Sequence, residues 1–345
     1  MPSFCQDLKT SYQHLQRLTA EFTAKYSDAK ESGDLREVRR LQKTLEAAKD
    51  ILIDHIIVVT VPDAKNLYYD ALLEAGLDPA KTQEQQEMTI DIRKEIQRQL
   101  EVYREAKDDA GNPCLTEWVK DITENQGLIY AEVAQDRAKI IERIKAGMIP
   151  VVMPGRSIQI RTWEAALLHL RPTRVEDSTE KTLGKKNRLY DGYKTDPSNK
   201  TTEEGFFKHI PERPYLVWVK PTQKPDPDTL SKSFDDQQVY YKSLIANNPS
   251  LYDSTDLIPT EYIALQAMAT RRIRDKFKEL AGAASEPKTI SPLDYDTGTR
   301  FISAGPFLGG LVPVAYFSPN LQQMFVTSDT SGKDDDCGFR PASRT

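Results

Sequence analysis

Arg300–Thr345 reads RFISAGPFLGGLVPVAYFSPNLQQMFVTSDTSGKDDDCGFRPASRT. Gly305, Gly309 and Gly310 punctuate its start, and three short apolar or β-branched runs follow at Val312–Phe317, Gln323–Thr327 and Cys337–Ala342. Runs of this length, bounded by Gly, Pro, Asn and Ser, read as strands on short loops. Helical periodicity is lost after Pro292, so the last fifty residues predict a small sheet.

Upstream, Thr260–Leu280 places Tyr262, Leu265, Met268, Ile273 and Phe277 along one stripe, which predicts a helix capped by Thr260. Arg271, Arg272 and Arg274, with Lys276 and Lys278, give it a charged face that reads as solvated or as a nucleic-acid stripe. Tyr215–Val219, held between Pro214 and Pro221, predicts a buried strand, and Asp226–Thr229 a polar spacer. The stretch 174–211 is polar, with a basic part at 181–194 that carries Lys185, Lys186 and Arg188, and reads as an insertion. Trp163–Leu170 predicts a short helix. Before it, Ile149–Met153, Pro154-Gly155 and Arg156–Arg161 read as strand, turn and strand, the last from the alternation of Ile158 and Ile160 with polar neighbours.

Residues 1–147 have a different grammar. From Ser11 to Val61, apolar residues recur at helical spacing through Leu15, Leu18 and Phe22, then Leu35, Val38, Leu41 and Leu45. Gly33-Asp34 breaks this into a hairpin, because Gly closes one helix and Asp caps the next. A short helix after Pro62, a long one over Thr82–Lys107 with Ile92, Ile96, Leu100 and Tyr103 on one face, and two shorter ones before Gly147 complete a helical bundle. The expected organisation is therefore α+β: a helical domain over 1–147, serving oligomerisation or docking, and a second domain over 148–345.

Composition removes several function classes. The chain has 345 residues, 39% hydrophobic and 29% charged, with mean hydropathy −0.58, and Ile51–Val61 falls well short of the roughly 20 residues a spanning helix needs. The N-terminus lacks a secretory pattern, which predicts a cytoplasmic protein. Cys5, Cys114 and Cys337 are odd in number and scattered, so free thiols are expected. A net charge of −5 argues against nucleic acid as the partner. His14, His55, His169 and His209 show no metal-ligand spacing, and no cofactor is expected. Asp334-Asp335-Asp336 reads as a solvated turn before it reads as a calcium site, since adjacent carboxylates cannot all point inward.

The C-terminal order of Gly-rich turn, strand, turn, strand, polar loop and closing Gly338-Phe339-Arg340 resembles the C-type lectin-like domains of formylglycine-generating-enzyme-type proteins. It also resembles the variable proteins of diversity-generating retroelements, in which a Gly-Phe-Arg strand closes the domain. Together with PVVMPGR at 150–156 behind a helical front, the layout is similar to proteins of small-genome uncultured bacteria. The resemblance implies a lectin-like fold over 148–345 that binds an unknown protein or small ligand through exposed positions. By place these are Tyr316, Ser318, Asn320, Leu321, Ser328, Thr330, Ser331, Asp334 and Asp335. Gly309-Gly310-Leu311 stands where the retroelement family has Gly-Gly-Ser-Trp. The enzymatic branch of the fold implies paired late cysteines, and Cys337 alone lies in the second half, so no enzyme is expected. A scaffold whose helical half makes the contacts, through homo-oligomerisation or docking, is the rival reading.

Overall fold

The computed structural model describes residues 21, 24–43, 58–62, 87–170, 188–189, 207–222, 224–252, 256–281, 293–294, 297–301, 311–318, 323–330, 332 and 334–344. The chain is mixed α+β, with helices mostly in its first two-thirds and two small sheets toward the C-terminus. It forms two compact units, one of residues 1–59 with 89–92 and one of residues 60–88 with 93–345.

In the first unit the chain is helical over 24–31 (α1) and 35–43 (α2). The expected break is there: Gly33 takes φ +73°, and Asp34 Oδ1 accepts the amides of Arg36 and Glu37 at 3.1 and 3.0 Å. Leu41 is buried, whereas Leu35 is exposed. Val58–Pro62 is a strand (β1) and not the end of a helix, because three valines and a threonine lose χ1 freedom in a helix and favour extended chain. The helix expected after Pro62 lies outside the described residues. The single helix expected over 82–107 is likewise corrected, since Glu87–Asp91 is a strand (β2) and helix α3, which belongs from Arg93 onward to the second unit, starts at Ile92 and runs to Glu105. Its predicted face holds: Ile92, Ile96, Leu100 and Tyr103 are all buried.

In the second unit three short helices replace the two expected: α4 Thr116–Glu124, α5 Gln126–Gln135 and α6 Arg137–Lys145, parted at Asn125 and Asp136. Strand β3 (Ile149–Met153) follows and is buried throughout. Arg156–Arg161 is not a strand; it opens helix α7, over Arg156–His169. The Ile158/Ile160 alternation misleads because Gln159, between them, is the fully buried residue. Gly155 starts this helix where no side chain fits, for a Cβ there would lie 2.3 Å from the carbonyl oxygen of Glu212.

Strand β5 (Tyr215–Val219) is buried as expected and is central in a three-stranded antiparallel sheet, between β3 and β10 (Ala342–Arg344). The outer edge of β3 is closed by side chains of α3. Gln99 Nε2 donates to Pro150 O at 2.8 Å while its Oε1 accepts the Val152 amide at 2.6 Å, and the Tyr103 hydroxyl donates to Val152 O at 2.6 Å. The Gln99 amide thus makes the two bonds that a peptide unit of a neighbouring strand would make, and Pro150 suits the edge because it has no N–H to satisfy. Gln99→Leu is expected to cost about 2–4 kcal/mol by orphaning both backbone groups; urea denaturation showing a loss under 1 kcal/mol would refute this account of the edge.

Two more helices follow β5: α8 (Phe234–Asn247), capped by Ser233, and α9 (Pro259–Ala281). Thr260 is not the cap of α9. The helix begins one residue earlier, the Thr260 hydroxyl donates to Gln159 Oε1 at 2.8 Å, and Glu261 reaches back to accept the Ile258 amide at 3.0 Å. Arg271 and Arg272 on α9 face carboxylates: Arg272 donates twice to Glu95, at 3.0 and 2.7 Å, and Arg271 meets Glu105 and Asp275. Burial works to raise the Glu95 carboxyl, but Arg272, Gln99 and Arg98 outweigh it and hold the group below its ordinary range. Its contribution is therefore complete above the unfolded pKa and is lost as pH falls through the folded one. Melting followed from pH 6 down to pH 3 is expected to show a steeper acid loss in the wild type than in Glu95→Gln; parallel profiles would refute it. Among the described residues no helix is long and apolar enough to cross a membrane.

The second sheet has five strands in the order β4 (Arg188–Leu189), β8 (Gln323–Thr330), β7 (Leu311–Ser318), β6 (Gly298–Arg300) and β9 (Cys337–Gly338). β6, β7 and β8 pair antiparallel; β4 and β9 join parallel.

Candidate ligand-binding surface

The β7–β8 hairpin carries the positions singled out in the sequence. Val312–Phe317 and Gln323–Thr327 are strands as expected, each extended by one to three residues, in the register Tyr316↔Phe325 and Ser318↔Gln323. Val312, Val314 and Tyr316 share one face by the twofold period of a strand, and Pro313, Ala315 and Phe317 the other. The second face is wholly buried. The first is buried at its Val312 end, where Phe234 and Tyr241 of α8 and Phe339 pack on Val312, and is half-buried at Tyr316 and Phe325. Those two rings stack across the strands, 5.3 Å between centroids and 6° from parallel.

Among the described residues, the positions singled out lie toward both ends of the ribbon. Tyr316 and Ser318 lie at the hairpin end of the ribbon, and Asn320 and Leu321 lie outside the described residues. Ser328 and Thr330 lie toward the other end: Thr330 pairs with Leu311, about 17 Å along the strand from Phe325 at about 3.4 Å per residue. Ser331 lies outside the described residues. Asp334 and Asp335 belong to a turn that returns to the hairpin end, because the next residue, Asp336, accepts the Gly298 amide at 2.7 Å, and Gly298 is in register with Tyr316. In that turn Asp334 Oδ1 accepts the Asp336 amide at 2.9 Å, and Asp335 is exposed.

Gly338-Phe339-Arg340 is not a continuous strand. β9 stops at Gly338, and the next three residues carry the chain from the five-stranded sheet to β10 in the three-stranded one. Each residue has a physical task there. A Cβ on Gly338 would lie 2.6 Å from Thr229 Oγ1 and 2.8 Å from Pro225 Cβ. Phe339 is fully buried, edge-on to Tyr241 at 5.1 Å, and its amide donates to Thr229 Oγ1 at 3.1 Å. Arg340 donates to Asp294 Oδ1 at 2.5 Å and to Thr299 and Thr222 hydroxyls at 3.1 Å each.

Asp294 anchors this network. It is fully buried with φ +58°, a conformation that Asp and Asn tolerate better than other non-glycine residues. Tyr262 donates to its Oδ2 at 2.7 Å and Thr299 at 2.5 Å, so both carboxylate oxygens have strong donors. Burial, and then the Asp294 charge, push the Tyr262 phenol far above its ordinary range, so it stays a neutral donor. Four residues past Arg340, Arg344 makes the matching contact in the other sheet, donating to Glu261 at 2.8 and 2.6 Å.

Family models, curated proteins and solved structures offer no match to this chain.

What the chemistry offers is thus a rigid frame under a half-buried aromatic pair. Within that frame Asp294 and Glu261 each accept several hydrogen bonds, and the Tyr262 and Tyr215 phenols are held neutral. The sequence reading missed Phe325, Glu261 and Asp294. Phe325 was recoverable, since Met324 and Val326 set the inward parity of β8 and leave Phe325 on the opposite face. The ion pairs of the two acids carry no local signal, as their arginine partners lie 46 and 83 residues away.

Proposed function

We propose that this chain is a non-catalytic binding protein whose C-terminal half is a lectin-like domain over 148–345, and that it takes a ligand or protein on the hairpin end of β7 and β8. One observation carries the reading: the Tyr316–Phe325 stack on a half-buried face, fixed on a frame tied by two buried ion pairs. Tyrosine gives large, stiff contact area at low entropic cost, and nearby Ser and Asn give adaptable hydrogen bonds, the mixture that paratopes use. Resemblance to the retroelement variable proteins supports a binding role for the C-terminal segment, because there a fixed frame tolerates change at exposed positions.

The test is to screen the full chain against oligosaccharide and peptide libraries and to re-measure each hit with Tyr316→Ala and Phe325→Ala. An affinity loss of roughly tenfold or more, the effect of an anchoring aromatic, with an unchanged melting temperature, is the expected outcome. Hits indifferent to both substitutions would overturn the proposal. A near-copy of the coding segment for the last hundred or so bases, differing at adenines and lying beside a reverse transcriptase gene, would add diversification to it.

A second reading has its own observation. A groove of about 460 Å³ between α3 and α4, lined by Tyr103, Arg104, Pro113, Val119, Lys120 and Glu124, favours contacts through the helices. Hits lost on Lys120→Glu and unaffected at Tyr316 would make the helical scaffold the better account.

A further inference from the structure

We draw no further inference here: the strongest candidate, the open charged cleft of about 470 Å³ between α3 and α9 lined by Arg93, Lys94, Gln97, Arg98, Glu101 and Asp275, is walled by Arg98 and Asp275, which pair with each other in the same ionic staple that Glu95 and Arg272 make between the two helices, and nothing in the structure points to a ligand that would enter it.

Discussion

Asp294→Ala is expected to lower the unfolding free energy by about 3–5 kcal/mol, the cost of removing one partner from a buried ion pair. The loss has three sources. Arg340, 2% exposed, would keep its charge with no carboxylate beside it. The hydroxyls of Tyr262 and Thr299 would lose their acceptor, and alanine would have to hold a left-handed backbone that aspartate bears more easily. Equilibrium urea denaturation measures the sum. The double variant Asp294→Ala/Arg340→Met separates the sources, because it removes the stranded charge as well. It should recover part of the loss. A single-variant cost below about 1 kcal/mol, typical of an exposed pair, would show that this network does not hold the sheet to α9.

Glu261→Ala should be nearly as damaging, at about 3–5 kcal/mol, for a related reason on the other sheet. This carboxylate is fully buried and accepts from the Tyr215 phenol at 2.6 Å, from the Ile258 amide and twice from Arg344. It therefore ties the first turn of α9 to β5 and β10 at once. Burial, and then the Glu261 charge, push the Tyr215 phenol well above its ordinary range, so tyrosine is the donor in this bond. A double-mutant cycle with Arg344→Met is expected to give a coupling above about 1 kcal/mol, as residues in one network do. Additive losses would mean that Arg344 and Glu261 act independently, contrary to the geometry.

Elements whose signal is local were legible. The Gly33-Asp34 break, the α3 stripe, the β5 strand and the β7–β8 hairpin each follow from turn chemistry or periodicity within about a dozen residues. Three readings failed where two local signals competed. At Val58–Pro62 the helical spacing before it competes with a β-branched run that favours a strand; the Thr82–Lys107 stripe hides a strand near its start; and the Ile158/Ile160 alternation conceals a helix whose inward residue is glutamine. The polar interior was out of reach for a different reason. Gln99, Gln159, Glu261 and Asp294 look like surface residues in sequence, and their burial is set by partners 46 to 101 residues away. The Tyr316 side of the candidate surface was half visible: tyrosine was named, but its stacking partner needed the register of the hairpin.

The closing segment also has a kinetic meaning. Within five residues, Arg340 and Arg344 reach partners 46, 83 and 120 positions earlier in the chain. Such closures confine long stretches of chain before any contact repays the lost freedom, and this slows the search for the native state. The helices of the second unit can form from neighbouring residues, but β5 lacks one of its flanking strands until that late segment docks. The two sheets should therefore reach their final packing together, with the passage from Gly338 to Ala342 as the step that completes both.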